Sequence, residues 1–267
     1  MFTDTHAHLD FPDYASDLDA VLERARAADI TRIITISTSI EGSARAVALA
    51  EAHPQIRAAV GVHPSYVDQS PSDILSPLRA LAWHPAVVAI GETGLDYHRN
   101  SSAPEEPPAF ASWQANRKRQ ALFFEQQLEI ALETRLNVVV HQRDSWEDTL
   151  AILRPYSGRL SAVFHCFGGT LQQAHALLEL GFCVSFTGIV TFKNAATVQE
   201  TAAKLPAGSF FLETDCPFLA PIPHRGKRCE PAHTRLTAEY IAALRGEPIE
   251  ALAAHTNAAA DAFFQRR

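Results

Sequence analysis

The stretch Phe2-Thr3-Asp4-Thr5-His6-Ala7-His8 has the pattern of a short β-strand that carries two histidines near its end. Because side chains alternate between the two faces of a strand, His6 and His8 point the same way, about 7 Å apart. Two imidazoles at this spacing can bind one metal ion, although an isolated His-x-His pair can equally be a strand end with two solvated histidines. A metal site therefore requires further ligands at the ends of other strands.

Four more residues of metal-ligating type follow apolar, β-branched runs, each at or next to a turn signal. They are Glu92, His141, His165 and Asp215. In parallel sheets the carboxyl ends of the strands lie at one edge, so side chains at these positions converge. The recurrence predicts one shared site rather than scattered surface residues.

Eight short apolar runs alternate with helix patterns along the chain. We predict strands over residues 2–8, 32–39, 57–63, 87–92, 137–141, 162–165, 183–187 and 210–215. We predict helices over residues 18–28, 43–52, 73–83, 116–134, 145–153, 171–180, 195–205, 234–245 and 248–264. Strands separated by helices pair in parallel, and eight such units close a barrel. The predicted fold is α/β, a single (β/α)8 TIM barrel over residues 1–267 with the metal site at its carboxyl-terminal mouth. A doubly wound open sheet is the alternative.

One segment interrupts this alternation. Residues His98 to Trp113 read HRNSSAPEEPPAFASW, which is rich in proline and has no hydrophobic period. We predict a loop after the fourth strand. Such a long loop is either part of a substrate-binding wall or a surface insertion without a role.

Composition indicates an ordinary globular protein, with 47% hydrophobic and 20% charged residues among 267. The formal net charge of −7 argues against a protein that coats nucleic acid electrostatically. The segment 223–228, PHRGKR, is locally basic. The four cysteines have no CxxC spacing and are expected to be reduced thiols. Apolar runs are of strand length, and the amino terminus has no signal-peptide pattern, so we expect a cytoplasmic protein without membrane attachment.

The number of candidate ligands suggests two metal ions. Six ligands exceed what one catalytic zinc requires. We assign His6, His8 and Asp215 to one ion, His141 and His165 to the other, and Glu92 to both. Two ions about 4 Å apart suit in-line displacement at phosphorus, with Asp215 also able to accept a proton from the attacking water. Availability favours Mg²⁺ or Mn²⁺ in cells, whereas the histidines favour Zn²⁺ or Ni²⁺, which a crystal could hold instead.

The chain resembles the TatD-like deoxyribonucleases of the amidohydrolase superfamily over nearly its whole length. Seven ordered motifs carry the resemblance: DTHAHLD at 4–10, GVHP at 61–64, GETGLDY at 91–97, VVHQRD at 139–144, HCFGG at 165–169, ETDCPFLAP at 213–221 and RGKR at 225–228. The resemblance implies a (β/α)8 barrel, a two-metal site formed by the six residues above, and hydrolysis of DNA phosphodiester bonds.

Other matched positions extend the implied site. His63 is implied to lie near the substrate phosphate, and Glu213 to support the ligands or hold a further ion. Arg143 and Arg225 are implied to bind phosphate, for which a planar guanidinium is well suited. The chain departs from the family pattern in its longer 98–113 loop, in Cys229 where asparagine is common, and in a loosely preserved terminal element at 255–257.

We predict a metal-dependent nuclease that removes nucleotides from the 3′ end of single-stranded DNA and acts as a monomer without an obligate protein partner. Two alternatives are open. One is an amidohydrolase that cleaves an amide or ester bond in a small molecule or in acyl-tRNA. The other is a non-enzymatic scaffold that a metal ion only stabilises.

Overall fold

Eight parallel β-strands form one sheet in the computed structural model, which describes residues 1–98 and 109–265. The strands are β1 (Phe2–Ala7), β2 (Ile30–Ile36), β3 (Ile56–Val60), β4 (Val87–Asp96), β5 (Asn137–Arg143), β6 (Ala162–Phe164), β7 (Cys183–Phe186) and β8 (Phe210–Leu212). They lie in chain order, and each neighbouring pair is parallel. All eight predicted strands are confirmed, with ends that differ by a few residues.

The sheet curls until its first and last strands meet. The Asp215 N–H donates to the His6 carbonyl oxygen at 2.8 Å, and the His8 N–H donates to the Cys216 carbonyl oxygen at 2.8 Å. Ala7 and Cys216 form a parallel bridge at the same place. The predicted (β/α)8 barrel is therefore confirmed. The doubly wound alternative is wrong, because such a sheet reverses its strand order at a switch point.

Helices follow the strands and cover the outside of the barrel. They are α1 (Leu18–Ala27), α2 (Ile40–Ala52), α3 (Leu75–Ala82), α4 (Ala109–Thr134), α5 (Trp146–Leu153), α6 (Leu171–Glu179), α7 (Ala196–Lys204), α8 (Thr234–Arg245) and α9 (Ile249–Phe263). Within the part of the chain that the structure describes, none of these helices is both long and apolar enough to cross a bilayer.

Helix α4 corrects one sequence prediction. We predicted a loop from His98 to Trp113, but α4 begins at Ala109, so the prediction is wrong for residues 109–113. This segment contains no proline or glycine, and adding residues to an existing helix costs little free energy compared with starting one. Residues 99–108 of the predicted loop lie outside the described residues.

The barrel interior is apolar beneath the mouth. Val139, Val163 and Phe211 stand two residues before His141, His165 and Glu213, so strand alternation places each pair on the same inner face. The three apolar side chains are buried together in one cluster with the end of α9. The Phe263 ring of α9 lies 5.2 Å from the Phe211 ring between centroids. Packing thus fills the interior and leaves the polar side chains at the mouth.

Candidate metal centre

The six residues predicted as metal ligands lie together at the carboxyl-terminal mouth of the barrel. They come from the ends of five strands: His6 and His8 from β1, Glu92 from β4, His141 from β5, His165 from β6 and Asp215 from β8. Among the described residues, three groups have ligand atoms within 4.8 Å of one another: His6, His8 and Asp215; His6, Glu92 and His165; and His63, Glu92 and His141.

The Glu92 carboxylate lies at the centre of these groups and is only 2% exposed. Its Oε1 lies 2.8 Å from Nδ1 of His141 and 2.7 Å from Nε2 of His165. Its Oε2 faces the other way, 3.4 Å from Nε2 of His6 and 3.8 Å from Nε2 of His8. The two oxygens of one carboxylate therefore face different imidazoles.

Surrounding imidazoles keep this carboxylate ionised. Burial alone raises the pKa of a carboxyl group, because the charged form loses its hydration. At Glu92 the nearby His165, together with hydrogen bonds from His141 and His165, outweighs burial and holds the pKa well below its ordinary value. Glu92 thus presents a negative charge to a cation at either oxygen.

A glycine next to Glu92 allows β4 to approach β5 closely. Gly91 has a φ of 150°, and a Cβ atom added there would lie 2.7 Å from the Val139 carbonyl oxygen. Any larger residue would push the two strands apart. The glycine therefore lets Glu92 lie within hydrogen-bond distance of the β5 histidine.

The first set consists of His6, His8 and Asp215. Oδ1 of Asp215 lies 3.6 Å from Nε2 of His6 and 3.3 Å from Nε2 of His8. Atoms that share one tetrahedral ion at bond lengths of about 2.1 Å are roughly 3.4 Å apart. The spacing of these three ligand atoms therefore fits a shared cation.

Both histidines of this set have a ring nitrogen that can bind a metal ion. Among the described residues, the two ring nitrogens of His6 are buried without a hydrogen-bond partner. Burial lowers the pKa of His6, which favours the neutral imidazole that a metal requires. The Nδ1–H of His8 donates to the Ile36 carbonyl oxygen at 2.7 Å, so the lone pair on Nε2 faces the carboxylates.

The second set consists of His141 and His165, whose facing nitrogens are 3.2 Å apart. The Nε2–H of His141 donates to Oδ2 of Asp96 at 3.0 Å, which leaves Nδ1 to face Glu92. Burial raises the pKa of Asp96, but the hydrogen bond from His141 outweighs it and lowers the pKa to about 2. Sequence reasoning missed Asp96. The sequence feature that could have identified it is its position four residues after Glu92. An even spacing places both side chains on the same face of β4.

Glu213 lies behind His165, on the side away from Glu92. Its Oε1 accepts a hydrogen bond from the Cys166 N–H at 2.6 Å and lies 3.7 Å from Nδ1 of His165. The carboxylate is thus already engaged by the backbone. The position of Glu213 therefore favours a role in supporting His165 over a role in binding a further metal ion.

His63 faces the same centre but has a different tautomer. Its Nδ1 accepts a hydrogen bond from the Ser65 N–H at 3.0 Å, so Nε2 carries the proton. That Nε2 lies 3.5 Å from Oε1 of Glu92. Burial and the neighbouring His141 lower the pKa of His63 to about 3. A neutral ring that presents an N–H is a hydrogen-bond donor at this position.

The two predicted phosphate-binding arginines lie at the rim rather than in the cluster. Arg143 is the exposed last residue of β5. Arg225 is exposed on the loop between β8 and α8, with its guanidinium 4.4 Å from the ring centroid of Phe192. Neither forms an ion pair within residues 1–98 and 109–265.

Buried imidazoles and ionised carboxylates at the open mouth of a (β/α)8 barrel fit a divalent cation by the chemistry of the donors. Fold and site together define the class of metal-dependent hydrolases, in which such a site activates water.

Comparison with known proteins identifies the family. The family model described as "TatD related DNase" matches residues 3–265. The uncharacterized metal-dependent hydrolase YabD of Bacillus subtilis is 37% identical, with 99% of each chain covered. A protein of Erwinia billingiae named 3′-5′ ssDNA/RNA exonuclease TatD is 34% identical, with 98% of each chain covered. The crystal structure of the TatD homologue YjjV from Escherichia coli K12 superposes with a TM-score of 0.87 at 31% identity, covering 98% of this chain and 97% of that one. The chain belongs to the TatD-related DNase family and is a metal-dependent hydrolase.

Proposed function

We propose that this enzyme hydrolyses phosphodiester bonds of single-stranded DNA from the 3′ end, at a centre that holds two divalent ions. The observation that carries the proposal is the orientation of Glu92, whose two oxygens face different imidazoles. A two-ion centre suits displacement at phosphorus. The name of the Erwinia billingiae relative supports a single-stranded nucleic acid as the substrate.

His6, His8 and Asp215 would hold one ion and His141 and His165 the other, with Glu92 shared between them. When bound, such ions supply Lewis acidity that polarises the phosphate and makes water a stronger nucleophile. Mg²⁺ or Mn²⁺ is proposed for the cell on the grounds of availability, and the nitrogen ligands also accept Zn²⁺ or Ni²⁺.

Asp215 would accept the proton of the attacking water. Burial raises its pKa, but the hydrogen bond with His8 and the nearby His165 outweigh burial and lower it. The carboxylate is therefore ionised, and its side chain is 14% exposed at the mouth. A partly open, ionised carboxylate beside the reacting phosphate can act as a general base.

His63, Arg143 and Arg225 would bind the substrate phosphates. The Nε2–H of His63 points into the centre and can donate to a non-bridging oxygen of the scissile phosphate. The two arginines at the rim can contact phosphates further along the strand, since each carries a charge that no described carboxylate neutralises.

The test is cleavage of a 5′-labelled single-stranded oligonucleotide by the purified enzyme in Mg²⁺ or Mn²⁺. We expect a ladder that shortens from the 3′ end, loss of the ladder after treatment with EDTA, and about two ions per chain by mass spectrometry. Glu92→Gln should lower kcat by at least about 100-fold, because loss of residues that only support a ligand already costs about 10- to 100-fold.

Glu133→Gln is the matched control, since Glu133 is an exposed carboxylate on α4 that pairs with Arg79. It should leave kcat unchanged. A folded, metal-loaded enzyme that cleaves no oligonucleotide would refute the proposal. Turnover of a lactone, a cyclic amide or acyl-tRNA by the same preparation would then establish the amidohydrolase alternative.

A further inference from the structure

Two phenylalanine rings lie against the metal-ligating face of the mouth. The Phe11 ring stacks on the His8 ring, with centroids 4.8 Å apart and an interplanar angle of 17°. The Phe218 ring meets both rings edge-on, at 6.2 Å from each. Phe218 is nevertheless 51% exposed, so much of its surface faces solvent beside the centre.

The backbone around Phe218 is held in place by the residues that form the site. The Phe218 N–H donates to the Asp215 carbonyl oxygen at 3.0 Å, and the neighbouring Pro217 carbonyl accepts from the Cys229 N–H at 3.0 Å. Cys216 and Ala220 on either side are buried. An exposed aromatic ring on a well-anchored loop loses little conformational entropy when a ligand stacks on it.

Charge at the rim favours approach of a polyanion from this side. Arg225 and Lys227 are exposed on the same loop as Phe218. The rim beyond β4, β5 and β6 contains a cavity of about 610 Å³ whose lining includes one guanidinium, that of Arg117, and three carboxylates, those of Asp144, Glu147 and Asp148. Phosphates are attracted to the cations near Phe218 and repelled by the carboxylates of this cavity, whose lining does not include Arg143.

We propose that Phe218, backed by Phe11, is a stacking surface for a nucleobase of one of the two nucleotides that flank the scissile phosphate. This inference rests on the proposed nuclease function. Bases stack on aromatic side chains regardless of sequence, because every base has a π face. The site would thus recognise the presence of a base beside the phosphate and not its identity.

The test compares an intact single-stranded oligonucleotide with two that carry an abasic residue at the terminal or the penultimate 3′ position. With the wild-type enzyme, one of the two abasic substrates should show a kcat/KM about 5- to 160-fold lower than the intact one, the range that the loss of one stacked base gives. Phe218→Ala should lower kcat/KM for the intact substrate by the same factor, mainly through KM. For the abasic substrate that the wild type cleaves more slowly, Phe218→Ala should leave kcat/KM unchanged.

Three further variants separate stacking from general damage. Phe218→Tyr keeps the π face and should retain discrimination against the abasic substrate, whereas Phe218→Leu keeps only apolar bulk and should lose most of it. Leu122→Ala on α4 removes an apolar side chain of similar exposure and should change neither substrate's kinetics. Melting temperature and metal content should match the wild type for every variant.

Two results would overturn the inference. If Phe218→Ala slows intact and abasic substrates equally, the ring only supports the site and does not stack on a base. If the wild type cleaves all three oligonucleotides at one rate, no base is recognised there, although the nuclease proposal would stand. A wild type that cleaves none of them would overturn both proposals.

Discussion

At the scale of single residues, Asp96 shows how the chain orients a ligand. The carboxylate holds the Nε2–H of His141 at 3.0 Å, and this contact turns the opposite nitrogen toward Glu92. Such carboxylate–histidine pairs fix the tautomer and increase the basicity of the ligating nitrogen. Asp96 would therefore be a positioning residue, since it would act on the proposed metal centre through His141.

Asp96→Asn should weaken metal binding by about 10- to 100-fold, because the amide holds the imidazole less strongly than a carboxylate. We expect the metal concentration for half-maximal activity to rise by this factor, with kcat recovering at saturating Mn²⁺. A titration of activity against Mn²⁺ measures the effect. Asp144→Asn is the control, since this exposed carboxylate of the same rim pairs with His98 and not with a ligand. An unchanged titration curve for Asp96→Asn would contradict the assigned role.

At the scale of elements, β4 shows where sequence reasoning succeeds and where it stops. The run from Val87 to Ile90 is apolar, so a buried strand with Glu92 near its end was predictable. The predicted strand ends at Glu92, yet β4, which contains Gly91 and Gly94, continues to Asp96. The two glycines allow β5 to approach β4 closely and do not form a turn. A single sequence does not indicate which strand will pack against a glycine. Asp96 was missed for this reason.

The junction between β1 and β8 depends on a buried carboxyl group. Oδ1 of Asp4 accepts hydrogen bonds from the Thr214 N–H at 3.0 Å and the His6 N–H at 3.3 Å. Its Oδ2 forms a hydrogen bond with the Thr214 hydroxyl at 2.7 Å, and this oxygen carries the proton when the carboxyl group is neutral. Burial raises the pKa of Asp4 to about 8, so the group is largely neutral at pH 7. These bonds join two strands that carry ligands on the same side of the centre.

Asp4→Ala should lower the free energy of unfolding by about 3 kcal/mol, because two buried N–H groups lose their acceptor. Asp4→Asn should lower it by less than about 1 kcal/mol, since the amide oxygen can still accept both bonds and the replaced group is already neutral. Urea unfolding monitored by circular dichroism measures both values. Equal losses for the two variants would show that the negative charge, and not the hydrogen bonds, holds the junction.

At the scale of the whole molecule, the barrel brings together residues that are up to 209 positions apart, as His6 and Asp215 are. The eight apolar runs were sufficient to predict a barrel, and a barrel places the ends of its strands at one mouth. The sequence could not supply the orientation of each ring. The tautomers of His8 and His63 depend on Ile36 and Ser65, whose backbone groups reach the rings only in the folded chain.

The overall charge of −7 limits how this protein can hold a polyanion, so attraction must come from a few cations at the mouth. Each phosphate contact contributes a slope of about −0.7 to the dependence of log affinity on log salt for a single strand. Arg225→Ala should therefore reduce the magnitude of this slope by about 0.7, measured as kcat/KM on an oligonucleotide between about 50 and 200 mM KCl. The matched control is Arg159→Ala, whose guanidinium also lies over an aromatic ring, that of Tyr156, but on the loop before β6 at the opposite end of the barrel. It should leave the slope unchanged. If both variants reduce the slope equally, long-range net charge governs binding and Arg225 makes no phosphate contact.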